Sequence, residues 1–97
     1  MERLAFIVNP VAGSGRVRRL WPGLEAELRR RRVPWDLFET EGPGHGIELA
    51  RQAAAAGYAA VVAVGGDGTL NEVVNGVGTD GVPVGFLPLG PGGDFSR

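Results

Sequence analysis

Ala59-Ala60-Val61-Val62-Ala63-Val64-Gly65-Gly66-Asp67-Gly68-Thr69-Leu70-Asn71-Glu72 joins an apolar run to a glycine-rich turn and then to a polar, helix-forming segment. The run from Ala59 to Val64 reads as a strand covered on both faces, because it lacks the alternation of a half-exposed strand. Gly65, Gly66 and Gly68 permit positive φ and let a ligand approach bare backbone. A helix starting at about Thr69, with Thr69 as its cap, aims unpaired N–H groups and partial positive charge at the same point. One glycine is enough for a tight strand-to-helix turn. Three glycines around an aspartate point instead to a cradle for an anion, phosphate above all.

Outward from this turn the chain alternates short apolar runs with helical patterns. Leu4–Val8 is a first strand and Asn9–Gly15 a turn-rich loop. Val17, Leu20, Trp21, Leu24 and Leu28 then recur at helical spacing as one apolar stripe. Pro22 interrupts that stripe, so the helix is expected to begin near Arg18 or Arg19, or to kink. Arg29–Arg32 falls in its last turn, where cations suit the helix dipole. Trp35–Glu39 reads as an edge strand and Thr40–Gly46 as a loop. Ile47, Leu49, Ala50, Ala53 and Ala54 give a small-faced helix closed by Gly57. Leu70, Val73, Val74 and Val77 line a third helix. Val84–Leu87 is a fourth strand, and Pro88–Arg97 a second glycine-rich loop.

This βαβαβαβ order predicts a three-layer α/β domain with a four-stranded parallel sheet and right-handed crossovers. In the expected strand order, 2-1-3-4, the topological switch point lies between strands one and three. The loops Asn9–Gly15 and Gly65–Thr69 then meet at one crevice.

Composition removes rival chemistries. Ninety-seven residues make one small domain of net charge −1, with no strong pull toward nucleic acid or anionic membrane. All basic side chains are Arg, so a P-loop lysine, a protein-kinase lysine and a Schiff base are excluded. There is no Cys, and His45 is the single His, so no metal site needing two such ligands is expected. Gly66-Asp67-Gly68-Thr69-Leu70-Asn71 departs from the dinucleotide fingerprint at Asn71, and Gly13-Ser14-Gly15 departs at Arg18. No signal peptide or transmembrane span is seen, and the cytoplasm is the expected compartment.

Three segments together resemble the diacylglycerol kinase catalytic domain family: Asn9-Pro10 with Ala12-Gly13-Ser14-Gly15, the GGDGTLNEVVNG stretch at 65–76, and Pro88-Leu89-Gly90 with Asp94-Phe95 and Arg97. Bacterial lipid kinases are the most similar members. NAD kinases share the GGDG core, but Asn71-Glu72 and the PLG…DF phrase belong to the lipid-kinase side. The resemblance implies an enzyme that moves the ATP γ-phosphoryl group to a lipid hydroxyl, such as that of diacylglycerol, using Mg²⁺. It implies nucleotide contacts at Asn9, Pro10, Ala12, Gly13 and Thr40, and along Gly65, Gly66, Asp67, Gly68, Thr69, Leu70, Asn71 and Glu72. Asp67 is the one catalytic candidate, as a holder of metal-bound water or a proton acceptor. The main base is expected in a β-sandwich domain outside residues 1–97.

Two departures stand out: the third motif, where Pro91 replaces a usual hydroxyl residue and Gly93 a usual Asn, and, the larger one, length, since the family's second domain is not found within residues 1–97. With half a cleft and no partner domain over the apolar surface near strand four, the 97 residues alone are expected to bind ATP weakly, to lack kinase activity and to self-associate, with a homodimer as one form. The complete enzyme is expected to meet its lipid peripherally, at the inner membrane face. Two alternatives remain at this point: an NAD kinase-like enzyme, and a non-catalytic remnant serving as a binding module.

Overall fold

Leu4–Val8 (β1) and Ala60–Gly65 (β3) are buried along nearly their whole length, as continuous apolar runs in a doubly covered sheet must be. The computed structural model describes residues 2–79 and 81–89. In chain order the other elements are α1 (Ala12–Arg30), β2 (Trp35–Glu39), α2 (His45–Ala56), α3 (Asp67–Val77) and β4 (Val84–Pro88). All strand pairs are parallel and their order is β2-β1-β3-β4, as the sequence predicts. Register runs straight across the sheet: Ile7 faces Phe38 on one side and Ala63 on the other, and Ala63 faces Phe86.

Two cores fill the faces. Ala5, Ile7, Val61 and Ala63 meet α2 and α3 through Ala50, Ala53, Val73 and Val77. The small side chains let the two helices cross closely. A Cβ at Gly76 would overlap the Ile47 carbonyl oxygen and come within 2.7 Å of the Ala50 Cβ. On the other face Phe6, Trp21 and Trp35 form a T-shaped trio, with ring centroids 5.5–6.2 Å apart. Between α1 and the sheet on this face, Phe6, Leu24, Glu27, Leu28, Val62 and Leu87 line a groove of about 310 Å³.

α1 differs from expectation. Helical residues begin at Ala12, but Gly13, Ser14 and Gly15 are left-handed, with φ of 64°, 57° and 91°. Regular right-handed helix therefore starts at about Arg16, earlier than Pro22 suggested, and runs through Pro22 with helical dihedrals. Pro22 and Arg18 are both exposed, so water can satisfy the carbonyl that the proline leaves unpaired. Leu20 is 41% exposed and lies off the buried stripe of Val17 and Trp21. At 100° per residue it sits about 60° to one side of Val17.

The amino ends of the strands are tied by one polar cluster. Arg3 donates to both carboxylate oxygens of Asp36, at 2.9 and 2.6 Å, and the Tyr58 hydroxyl donates to Asp36 at 2.6 Å. Bonded to Arg3 first and Tyr58 second, the Asp36 carboxyl is held down to about 2. Its negative charge, accepting from the phenol, pushes Tyr58 up. This cluster lies at the end of the sheet opposite the glycine-rich turns.

Candidate functional site

The carboxyl ends of the strands enclose an open cavity of about 700 Å³ at the switch point. Each strand contributes one wall. Asn9, Val11, Ala12 and Gly13 follow β1, Thr40 to Pro43 follow β2, Gly65 to Thr69 follow β3, and Phe86 and Pro88 end β4. The two glycine-bearing loops meet as the 2-1-3-4 order requires.

The first wall is set by Asn9. Its side-chain oxygen accepts from Val11 N at 3.2 Å and its carbonyl from Ala12 N at 3.1 Å. This Asx turn fixes the loop locally. Asn9 N in turn donates to Val64 O at 3.1 Å, tying the first loop to the end of β3.

The third wall departs from the sequence reading in its details. α3 begins at Asp67, two residues before Thr69, with Gly66 as its N-cap and no side-chain cap. Thr69 is thus the third helical residue and not the cap. It is 5% exposed, and its hydroxyl packs where a Cβ on Gly65 would lie, 2.6 Å from Oγ1. The three glycines have different duties. Gly65 has φ of 153° and no room for a side chain. Gly66 is extended, with φ of −104°. Gly68 sits in the helix, and a Cβ there would meet nothing within 4 Å. Neither the backbone nor the packing requires glycine at Gly68.

Gly66, Asp67, Gly68 and Thr69 donate their N–H groups to no acceptor among the described residues, and Leu70 N is the first to bond back, to Gly66 O at 3.2 Å. These are the four orphan donors of a helix start, and all four residues line the cavity. The mouth of α2 differs. His45 N and Ile47 N donate to the carbonyls of Gly42 and Gly44 at 3.2 and 3.1 Å. Gly44 N and Gly46 N donate to the Glu72 carboxylate, both at 3.0 Å. Among the described residues, the mouth of α3 has no acceptor on its N–H groups, whereas that of α2 is filled.

Glu72 is the sixth residue of α3 rather than part of its first turn, and the helix dipole it serves is that of α2. Asp67 is the first-turn acid of α3. Pro10, Leu70 and Asn71 are not brought to the cavity. Leu70 packs against the α2/α3 core, and Asn71 is exposed, its carbonyl accepting from Asn75 Nδ2 at 2.8 Å. Arg16, Arg18 and Arg19 do not line it either. Val11, Glu41, Phe86 and Pro88 line it without having been singled out in the sequence. Pro88 and the Thr40–Gly46 loop carried a signal, as part of a motif and as a turn; Phe86 carried none. Of the third motif, Leu89 N donates to Gly65 O at 2.9 Å. Its remainder, with Pro91, Gly93, Asp94 and Arg97, lies outside the described residues.

The described lining includes three carboxylates, Glu41, Asp67 and Glu72, and no Arg or His. Among the described residues, an anion here meets backbone N–H groups rather than cationic side chains. No group of three acids or imidazoles among the described residues could hold a metal ion alone.

The diacylglycerol kinase catalytic domain profile matches residues 3–97. The chain is 41% identical over 101 residues to "Putative lipid kinase YtlR" of Bacillus subtilis (strain 168), covering 100% of this chain and 33% of that protein. It is 36% identical over 100 residues to a diacylglycerol kinase of Staphylococcus haemolyticus, covering 100% of this chain and 30% of that one. A solved diacylglycerol kinase structure from Bacillus anthracis str. Sterne matches with a TM-score of 0.70 and 28% identity, covering 99% of this chain and 36% of that chain. The chain thus spans about a third of the length of the curated relatives it matches.

Proposed function

This chain belongs to the diacylglycerol kinase catalytic domain family, a family of kinases, and from that premise we propose that its cavity binds the polyphosphate of ATP. Joined to the rest of a complete enzyme, it positions the γ-phosphoryl group for transfer to a lipid hydroxyl such as that of diacylglycerol. The observation that carries the reading is the open mouth of α3. Four N–H groups with no acceptor among the described residues belong to residues that line a cavity at the switch point of the sheet. Asn9, Ala12 and Gly13 flank the phosphates from one side and Thr40 from the other.

Transfer of a phosphoryl group depends on positioning and on stabilising spread negative charge. The Gly66–Thr69 amides supply fixed dipoles for that charge, and Asp67 would accept a proton or help hold a divalent cation beside the phosphates. Three acids and no cation in the described lining leave the nucleotide charge without a side-chain counterion. Mg²⁺ commonly takes one or two carboxylates plus substrate phosphates. Asp67 is the residue here that fits such a role, and the ion would supply the missing positive charge.

The 97 residues hold the nucleotide and not the acceptor, so no transfer is expected from them alone. Each charge-assisted hydrogen bond is worth about 1.5–3 kcal/mol. Association costs about 4–15 kcal/mol. Four such bonds leave little surplus, and saturable ATP binding at roughly 0.1–10 mM is expected. Among the described residues no helix is long and apolar enough to cross a membrane. The proposed encounter with lipid is peripheral, from the cytoplasmic side.

Calorimetric titration of the chain with Mg-ATP tests the nucleotide reading, which is overturned if no binding appears at 10-millimolar order. A phosphoryl-transfer assay on a complete enzyme carrying this domain, offered diacylglycerol or NAD, tests the acceptor. Product from NAD alone would remove the lipid reading.

A further inference from the structure

Glu72 lies at the border between the cavity and the packed interior. One face of its side chain lines the cavity, while both carboxylate oxygens accept hydrogen bonds from the start of α2. Gly44 N reaches Oε2 and Gly46 N reaches Oε1, each at 3.0 Å. The fit is tight on the α2 side. Gly46 is buried, and a Cβ there would lie 2.5 Å from Oε1 and 3.2 Å from the Glu72 Cβ. Immediately before Gly44 in the chain come Thr40, Glu41, Gly42 and Pro43, which form a whole wall of the cavity. That wall is anchored at one end by Thr40 N, which donates to Val8 O at 2.9 Å at the end of β2. At its other end it is tied to the start of α2, with Glu41 N donating to His45 Nδ1 at 2.9 Å and His45 N to Gly42 O at 3.2 Å, and the start of α2 is in turn held by Glu72.

We propose that Glu72 is a positioning residue: spanning from α3 to the N-terminus of α2, its carboxylate holds the Thr40–Pro43 wall at the distance from the α3 mouth that the nucleotide requires. Both oxygens are already committed to N–H donors, so the side chain acts through the wall and not by touching the phosphates. By occupying the positive end of α2, it also leaves the α3 mouth as the place for the polyphosphate. This proposal rests on the nucleotide reading above. Glu72 then couples two elements of the site, and loss of such a coupling typically costs about five- to a hundredfold in affinity.

The test compares Glu72→Gln, Glu72→Ala, Gly46→Ala and the double variant Glu72→Ala/Gly46→Ala by Mg-ATP titration. Amide hydrogen exchange at Gly44 and Gly46 is measured without ligand. Gly46 itself does not line the cavity. If Glu72 acts through the wall, Gly46→Ala weakens ATP about as much as Glu72→Ala, and the double variant is no worse than either single one. Glu72→Gln, nearly isosteric and keeping one acceptor, falls between the parent and Glu72→Ala. Exchange at Gly44 and Gly46 speeds up in every Glu72 variant. If Gly46→Ala leaves ATP affinity unchanged, or if the double variant is much weaker than either single one, the proposal fails. It fails equally if Glu72→Gln binds ATP as the parent does, or if Gly44 and Gly46 exchange freely in the parent. Should Gly46→Ala not fold, the Glu72→Gln titration and the parent exchange rates still decide. A parent chain that binds no ATP refutes the nucleotide reading instead, and leaves the exchange result standing on its own.

Discussion

Gly68→Ala separates what the fold needs from what a ligand needs. Gly68 is the second residue of α3, has no positive φ, and would place a methyl group in open space. Alanine should therefore fold normally and gain up to about 1 kcal/mol from helix propensity and a less flexible unfolded chain. The same methyl lies on the cavity wall, and helix Cα–Cβ bonds lean toward the amino end, here toward the free N–H groups. If it keeps phosphate from one of the four donors, the loss is one charge-assisted hydrogen bond, about 1.5–3 kcal/mol. That corresponds to roughly ten- to a hundredfold weaker ATP binding. Urea unfolding measures the first quantity and calorimetric titration with Mg-ATP the second. A variant at least as stable as the parent and well over tenfold weaker in ATP binding is expected. If Gly68→Ala binds ATP within twofold of the parent, the amides at this helix start do not hold the phosphates.

Three further substitutions probe other links. Gly76→Ala forces a methyl into the α2/α3 crossing against backbone, which cannot swing aside, so urea melts should show a loss of about 1–3 kcal/mol despite the better helix former. Asn9→Asp keeps the acceptor that Val11 N uses but adds charge beside the phosphates; stability should hold while ATP affinity falls by about 1–4 kcal/mol, read by the same titration. Asp36 is depressed to about 2 in the fold from an ordinary 3.8, so the unfolded chain binds more protons between those values. Its contribution is full above about pH 4 and is lost as pH falls toward 2. An acid titration followed by circular dichroism should lose that slope in Asp36→Asn, and added salt should flatten it in the parent, because the pair with Arg3 is about 40% exposed.

Most of the architecture was legible because it depends on pattern. The unbroken apolar runs at Leu4–Val8 and Ala59–Val64 mark central strands, and alternating strands and helices give a parallel doubly wound sheet, for which 2-1-3-4 is one of the common orders and the one found. Gly57 ended α2 as read, at φ of 90° with its N–H on Ala54 O. The misses are matters of local competition. Thr69 looked like a cap from its type, but its hydroxyl packs against Gly65 and the helix starts at Asp67 without a side-chain cap. Pro22 looked like a boundary, yet a proline on the wet side of a helix costs an exposed carbonyl that water can serve. The role of Glu72 was legible only in part. Its place in the glycine-rich motif was readable, but that it serves the mouth of α2 depends on a contact 26 residues away in sequence, which no local pattern encodes. The α3 mouth was legible as a motif; that the α2 mouth is already filled was not.

The central claim is that the N–H groups of Gly66, Asp67, Gly68 and Thr69 receive the phosphates. A ¹⁵N-resolved NMR titration of the chain with Mg-ATP, repeated with inorganic tripolyphosphate, addresses those four groups directly. The account predicts saturable shifts concentrated on these amides with both ligands, and further shifts at Thr40 and Glu41 with ATP. Saturable binding that leaves the four amides unmoved would contradict it.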